Sequence, residues 1–271
     1  MIALRLKVML TAALDVSVLN PATLNQLSIS KIQRLQLQVG RQRVRLAELF
    51  DVTGTVDESL EINDATPALC GLGADLRTGR IVINGCVGDY LGRDMRGGEI
   101  VCFGDTGAWA GAGMRGGRID VTGSVGGFAG GSTPGATAGM KGGVILISKN
   151  AGARLGDRMR RGMIVVRGAT GPYSGSQMIA GTLALLGTTA PGLGSGMRRG
   201  TLLVADSNAR APSSFVTTGE FNQPFVAVLC RHLALLKPKW RNTLKGFARV
   251  DRWVGDRGCD GLGEILIARG K

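Results

Sequence analysis

The chain has few of the side chains on which most catalytic and metal sites depend. A single histidine, His232, excludes a histidine-rich metal site. The five cysteines include no CxxC pair, so we expect reduced thiols and a cytoplasmic protein rather than a zinc or disulfide framework. Seven Phe, three Trp and two Tyr are too scattered along the sequence to predict a base-stacking platform.

Long apolar runs are also missing. The longest near the C-terminus, Phe225 to Leu236, is interrupted by Arg231 and His232 and is too short to cross a bilayer. A short apolar run near the N-terminus is broken by Asp15, which disfavours a signal peptide. The sequence therefore predicts no membrane segment.

Glycine and positive charge are abundant instead. Of 44 glycines, two lie in residues 1–70, 35 in 71–206 and seven in 207–271. This distribution predicts an N-terminal strand and hairpin cap, a glycine-repeat domain, and a C-terminal helix with a basic tail, with those boundaries. The 33 Lys and Arg against 20 Asp and Glu give a formal charge of +13, which favours an anionic partner.

A nineteen-residue repeat organises the middle region. Successive anchor residues are separated by 19, 19, 26, 19, 19 and 19 residues: Leu76, Met95, Met114, Met140, Met159, Met178 and Met197. The seven extra residues fall around Gly130 to Gly139 and predict an inserted loop. Each anchor is followed by two apolar residues at alternate positions, such as Ile119 and Val121, which is typical of a strand.

One such unit cannot bury its own apolar side, whereas stacked copies can bury a continuous column. The sequence therefore predicts an all-β fold, a parallel β-helix of about seven turns with small α+β caps at both ends. In the caps we expect an opening strand from Ile2 to Leu10, a hairpin turning at Gly40 with a short helix near Glu48, a helix from Pro224 to Leu236 and a final strand around residues 265–267.

The residue after each anchor is basic in six of the seven copies. These residues, called the basic ladder below, are Arg77, Arg96, Arg115, Lys141, Arg160 and Arg198. Stacked in register, they would lie about 4.8 Å apart and would repel one another. Either acids interleave with them, or the ladder faces an anionic partner surface or an acidic ligand; the acids available for the first alternative are Asp94, Glu99, Asp120 and Asp157.

No part of the sequence predicts a catalytic or metal site. His232 lies in a predicted apolar helix, Cys102 occupies a core position of the repeat, and Cys86 lies beside a glycine corner far from the histidine in sequence. The glycine phrases never form GxGxxG between a strand and a helix, nor a P-loop. We expect no catalytic residue, no metal and no cofactor held by this chain.

The glycine-repeat core resembles the GxGxG β-helix domain shared by the large subunit of glutamate synthase and the C subunit of formylmethanofuran dehydrogenase. Three stretches favour the second family: residues 32–37 leading to 46–52, the core 71–206, and the tail 261–267. This resemblance implies right-handed coils. It also implies a noncatalytic scaffold subunit in one-carbon metabolism, with the carrier and the metals held by partner subunits.

Two complexes use such a subunit. One is a tungsten or molybdenum formylmethanofuran dehydrogenase of methanogens. The other is the formyltransferase/hydrolase complex of methylotrophic bacteria, which moves a formyl group from tetrahydromethanopterin to a methanofuran-type carrier and releases formate. Eight lysines against 25 arginines favour the bacterial complex. The implied partners are formyltransferase, amidohydrolase-like and dehydrogenase-like subunits, and the ladder could contact the glutamate-rich tail of the carrier.

Two further alternatives fit less well. A glutamate-synthase-type domain would accompany an amidotransferase with an N-terminal cysteine, whereas Met1 is followed by Ile2, and 271 residues leave no room for a flavin-binding barrel. A nucleic-acid binder would account for the charge of +13, but the sequence offers no aromatic stacking residues in a recognisable motif.

Overall fold

Strands dominate the regular structure, as the β-branched residues at alternate positions require. The computed structural model describes residues 1–40, 42–221 and 224–269. Strands within those ranges are β1 (Ile2–Leu6), β2 (Leu14–Asp15), β3 (Gln36–Val39), β4 (Gln42–Arg45), β5 (Phe50–Gly54), β6 (Ser59–Ala65), β7 (Leu69–Cys70), β8 (Arg80–Gly85), β9 (Glu99–Cys102), β10 (Arg118–Val121), β11 (Lys141–Ile147), β12 (Arg161–Val166), β13 (Thr182–Leu185), β14 (Thr201–Val204), β15 (Val216–Phe221), β16 (Val250–Gly255) and β17 (Gly263–Ala268).

Helices are short, except for one. The α-helices in the described ranges are α1 (Pro21–Leu24), α2 (Ile29–Gln33), α3 (Leu46–Leu49), α4 (Pro224–Leu236) and α5 (Arg241–Leu244). Short 3₁₀ helices cover Pro238–Trp240, Lys245–Ala248 and Arg257–Cys259. No helix in the described part of the chain combines the length and the apolar character that a membrane span requires.

The strands after the anchors pair in parallel and in register. Ile100 of β9 lies opposite Ile81 of β8 and Ile119 of β10, and the same register continues to β14. The sequence prediction of a strand after each anchor is therefore confirmed. We call one copy of the repeat a layer.

The prediction of a right-handed parallel β-helix of about seven turns, with separate caps, is wrong. The structure has one mixed, mostly parallel sheet of thirteen strands in the order β15-β16-β17-β14-β13-β12-β11-β10-β9-β8-β6-β1-β5, and a four-stranded sheet in the order β4-β3-β2-β7. The regions expected to form caps contribute strands to the large sheet, and the pairs β1–β5, β15–β16 and β16–β17 are antiparallel.

The backbone conformation between the strands accounts for this difference. The strand pairing there is limited to isolated bridges, which run Val87–Thr106–Val125–Ala151–Thr170–Thr189, and to separate backbone hydrogen bonds such as that from the N–H of Trp109 to the carbonyl of Gly127. Residues beside the bridges have positive φ, for example Trp109 at 57° and Gly111 at 66°, and such residues cannot continue an extended strand. The alternation of apolar residues predicts one strand in each layer. It does not predict the additional strands that the other sheets of a β-helix would need.

The inner face of the large sheet packs against the glycine turns. The anchor methionines, from Met95 to Met197, are fully buried there. The methyl group of Met95 lies beneath Gly117 of the next layer, where an added Cβ would come within 2.6 Å of it. Gly117 also has φ +85°, so both its conformation and its surroundings require glycine.

The outer face of the same sheet is covered by the C-terminal helical segment. Leu146, Val165 and Leu203 point outward from the sheet and form a second apolar cluster with residues of α4, among them Val226 and Leu229. This cluster holds α4 flat against the repeat layers.

Predictions for the flanking segments are mostly confirmed. The hairpin of β3 and β4, the short α3 and the helix α4 lie where the sequence indicates, and β17 includes residues 265–267. The opening strand ends at Leu6 rather than Leu10. Gly270 and Lys271, the end of the predicted basic tail, lie outside the described residues.

Candidate functional site

The residues of the basic ladder lie one above another along the edge of the layers. The backbone N–H of Arg96 donates to the carbonyl of Leu76 at 2.7 Å, that of Arg115 to Met95 at 2.7 Å, and that of Arg160 to Met140 at 2.8 Å. Each of these ladder residues is thereby fixed to the anchor of the layer before it. The rungs are about 4.8 Å apart, because backbone hydrogen bonds set the separation of the layers.

All six ladder side chains are exposed. Arg96 has an acidic neighbour, Asp75, at 3.8 Å. Within residues 1–40, 42–221 and 224–269, no carboxylate lies within ion-pair distance of the other five. The ladder is therefore a line of cations with little compensation from this chain.

The four acids considered as neutralising partners all pair elsewhere. Asp94 lies 3.9 Å from Arg93, and Glu99 lies 3.3 Å from Arg80. Buried Asp120 accepts from Arg118 at 3.0 Å and pairs with Lys237 at 2.8 Å. The interleaving-acid alternative is therefore not what the structure shows.

Buried Asp157 also serves the packing of the layers rather than the ladder. Its carboxylate accepts hydrogen bonds from Ser176 Oγ at 2.5 Å and Ser132 Oγ at 3.2 Å, and it lies 3.4 Å from Arg154. These contacts join three layers beside the inserted loop.

The ladder widens into a shallow groove at its C-terminal end, which we call the basic groove. Its volume is about 730 Å³, and it is lined by Lys141, Arg160, Arg161, Ile179, Ala180, Arg198 and Arg199. Ile179 replaces a basic residue in the ladder and, with Ala180, forms an apolar floor between two groups of cations. An extended anion with carboxylates on both sides of an apolar portion fits this pattern, because guanidinium groups bind carboxylates in two-point contacts.

A second depression of about 430 Å³ continues from the basic groove. It shares Ile179 and Arg198 with the groove and adds Arg158, whose Nε donates to the side chain of Gln177 at 2.8 Å. The cationic surface thus extends sideways from the ladder.

Sequence reasoning missed a column of aromatic rings on a neighbouring part of the turns. Tyr90, Trp109 and Phe128 stack with ring centroids 5.2 Å apart in both pairs and interplanar angles of 10° and 14°. Arg154 continues the column and lies 5.9 Å from the ring of Phe128 and 5.6 Å from that of Tyr173. The signal was present in the spacing, because the three aromatic residues are 19 residues apart.

This column stabilises the layers rather than offering a surface on which bases could stack. Both faces of Trp109 are covered by its neighbours, and its indole Nε1 donates to the carbonyl of Ser132 at 3.3 Å. Arg93 lies 5.8 Å from the ring of Tyr90. The ring faces on which a ligand could stack are therefore covered by other side chains of this chain.

The structure does not bring the candidate chemical groups together. His232 is exposed on α4, whereas Cys86 lies on the glycine turns and accepts from the backbone N–H of Asp105 at 3.4 Å. Burial raises the pKa of the Cys102 thiol to about 11, which keeps it protonated at neutral pH. No group of three or more His, Cys, Asp or Glu in the described ranges is arranged to hold a metal ion.

No family model and no curated protein matches the chain. Among solved structures, the chain is similar to a chain of the formyltransferase/hydrolase complex FhcABCD from Methylorubrum extorquens, which was crystallised in complex with methylofuran. The two sequences are 35% identical, the similarity covers 99% of this chain and 100% of that chain, and the TM-score is 0.90.

Proposed function

Because the chain belongs to the family of subunits that build formyltransferase/hydrolase complexes, we propose that it is the C subunit of such a complex and acts as its noncatalytic scaffold. The observation that carries this proposal is 35% identity over 99% of the chain at a TM-score of 0.90. The complex would move a formyl group from tetrahydromethanopterin to a methanofuran-type carrier and release formate. Formyltransferase, amidohydrolase-like and dehydrogenase-like subunits would be its partners.

The scaffold role is supported by how the described residues are used. Buried carboxylates are engaged in packing: Asp157 joins layers, and Asp120 holds Lys237 of the C-terminal segment. His232 and Cys86 lie on separate parts of the fold, without a base beside a nucleophile. Stacked layers that are hydrogen-bonded to one another beside the anchors make a rigid body on which other subunits can be arranged.

A second part of the proposal concerns the basic groove. We assign it to the acidic tail of the carrier, because its five cations lack acidic partners among the described residues and surround an apolar floor. The similar complex was crystallised with methylofuran, so a carrier of this class is available to the assembly.

The scaffold role is tested in a complex co-expressed from all its subunits, with and without this chain. We expect omission of the chain to abolish assembly, measured by native mass spectrometry, and formate release with it. His232→Gln, Cys86→Ser and Asp94→Asn should each leave turnover within a few-fold of wild type. One of these changes abolishing turnover in a correctly composed complex would contradict the noncatalytic role. Tungsten or molybdenum in the purified complex would indicate the dehydrogenase alternative.

The groove is tested by exchanging Arg160, Arg198 and Arg199 together for Gln. Carrier affinity should fall, and the loss should shrink as salt is raised, because screened surface charges act on association. The matched control exchanges three exposed arginines away from the ladder, Arg34→Gln, Arg43→Gln and Arg210→Gln. Equal loss in both triple variants would show a general effect of net charge and would remove the groove from the proposal.

A further inference from the structure

Helix α4 is apolar on two sides. Its inner side, with Val226, Leu229 and Leu233, is buried against the outer face of the large sheet. Its other side exposes Phe225, Val228 and Leu235 to solvent, at 49%, 67% and 71% of their full accessible surface. A helix with apolar residues on both sides is typical of one that is covered on both sides.

The three exposed residues form one strip along the helix, because they share a face. Phe225, Val228 and Leu235 are separated by three and seven residues, which the helical period of 3.6 brings into line. We call these three residues the α4 outer face. His232 lies on the same face between Val228 and Leu235.

The ionisable side chains of the segment around α4 carry charges of one sign. Residues 221–250 contain six Lys and Arg and no Asp or Glu. Two of these cations, Arg231 on α4 and Lys239 just after it, are exposed, and no carboxylate of the described ranges pairs with them. Lys237 is already engaged with Asp120. The α4 outer face is thus an apolar strip with a positive surround.

A second copy of this chain is a poor occupant for such a strip. A twofold contact would bring the cations of both copies into one interface, and the segment has no acid to compensate them. A subunit with carboxylates around an apolar patch would instead be attracted.

We infer that the α4 outer face is the docking surface for another subunit of the same complex, one that offers an apolar patch surrounded by carboxylates. This inference rests on the proposed function, since it takes the partner from the complex to which the chain belongs. It places an assembly contact on the side of the large sheet opposite the glycine turns. The residues of the α4 outer face and those that line the basic groove are different.

The test uses the complex co-expressed from all subunits. Val228→Glu should lower recovery of the assembled complex at least tenfold, because it would bury a carboxylate of the strip against the partner's apolar patch. Met9→Glu is the matched control, since Met9 is an apolar residue exposed at 93% in the N-terminal segment and the charge change is the same. We expect Met9→Glu to assemble as wild type does.

Two further measurements separate a docking defect from a folding defect. Val228→Glu should leave the urea midpoint of the chain unchanged, because the side chain is already in water. Lys239→Glu, which leaves the strip intact, should weaken assembly several-fold at low salt and less at high salt. A photo-crosslinking residue at position 228 of the intact complex should yield a product with another subunit.

The outcomes separate this inference from the proposed function. Normal assembly of Val228→Glu, or a crosslink from position 228 to a second copy of this chain, would overturn the inference while leaving membership in the complex intact. Failure of the wild-type chain to assemble with the other subunits would overturn the proposed function and this inference together.

Discussion

The repeat layers and the C-terminal helical segment are held in place by different means. Each layer is fixed by backbone hydrogen bonds to the layer before it, so the residue after an anchor always lies above its predecessor, as Arg115 lies above Arg96. The helical segment is fixed by side chains, through the apolar cluster around Leu203 and through Lys237 on Asp120. A charge at one position of the repeat therefore recurs in every layer and forms a ladder. The position of α4, in contrast, depends on a few individual side-chain contacts.

The largest loss of stability should come from adding a side chain where two layers are in close contact. Gly117→Ala would place a Cβ within 2.6 Å of Met95 Cε and 2.7 Å of the Gly98 carbonyl oxygen. We expect a loss of about 3 kcal/mol or more in the free energy of unfolding, from the left-handed conformation and the clash together. Urea unfolding followed by tryptophan fluorescence measures it.

The matched control is Gly135→Ala in the inserted loop. Gly135 has φ +80°, close to the value at Gly117, but nothing lies within 4 Å of its added Cβ. This variant should lose only about 1 kcal/mol, the cost of the backbone conformation alone. Equal losses at the two positions would show that contact between layers does not limit the side chain at Gly117.

The second largest loss of stability should affect the C-terminal helical segment more than the layers. Asp120→Ala leaves Lys237 without its carboxylate and Arg118 without its 3.0 Å partner. We expect a loss of about 2 kcal/mol, below the value of about 3–5 kcal/mol for a fully buried pair, because Lys237 can still reach water. Hydrogen exchange should accelerate in α4 and remain slow in β9 and β12.

Asp51→Asn is the control for that change. Asp51 pairs with Lys7 at 3.3 Å on an exposed surface, so its loss should cost less than about 0.5 kcal/mol. Uniform acceleration of exchange throughout the Asp120→Ala variant would indicate that α4 and the layers unfold as one unit.

These contrasts explain which parts of the structure the sequence could predict. The strands after the anchors, the hairpin at Gly40 and helix α4 follow from local patterns of apolar residues and turns. The single large sheet does not, because its end strands are joined by pairings such as Ile2 with Gly54 that have no repeat to reveal them. In the same way, the repeat predicted the basic ladder, whereas Asp120 pairs with Lys237, which lies 117 residues away just after α4.

The aromatic column could have been predicted from the repeat, although composition alone does not reveal it. Tyr90, Trp109 and Phe128 share the repeat spacing, so the pattern was available. Composition alone hides it, since twelve aromatic residues in 271 are few and only their spacing relates them. Residues of the layers are thus better judged by their place in the repeat than by their number.

The junction between the last layer and the C-terminal strands should respond to acid. Asp256 accepts from the backbone N–H groups of Gly196, in the last layer, and Gly258, at 3.0 and 2.9 Å. Burial raises the pKa of Asp256, but these bonds and one from Ser214 outweigh burial and lower the pKa below its usual range. A lowered pKa in the folded state stabilises the fold above the unfolded value of about 3.9, and this contribution is lost as the pH falls through the folded value.

Asp256→Asn should therefore be less stable than wild type at pH 7, by about 1 kcal/mol for weakened charge-assisted hydrogen bonds. The difference should narrow as the pH falls below the unfolded value of about 3.9 and through the lower pKa of the folded chain, because the carboxyl then takes up its proton in both states. Urea unfolding between pH 3 and pH 7 measures both curves. A difference that stays constant over this range would show that charge on Asp256 does not stabilise the junction.

The smallest effect should appear on the basic ladder itself. Arg115→Gln removes the middle one of five consecutive cations, and the ladder neighbours on either side, Arg96 and Lys141, are exposed like Arg115. Like charges at this spacing repel by about 1 kcal/mol in bulk water, and flexible side chains reduce that by moving apart. We expect the variant to be more stable than wild type by about 0.3 kcal/mol at low salt and equal to it at 1 M salt, where the Debye length is about 3 Å.

Ile179→Arg is the complementary change, because Ile179 occupies the ladder position that is not basic. It should lower the free energy of unfolding at low salt, and this loss should disappear at 1 M salt. A loss of stability in Arg115→Gln that persists at high salt would mean that this arginine packs on its neighbours, and the ladder would then be part of the layers' structure rather than a surface kept available for an anion.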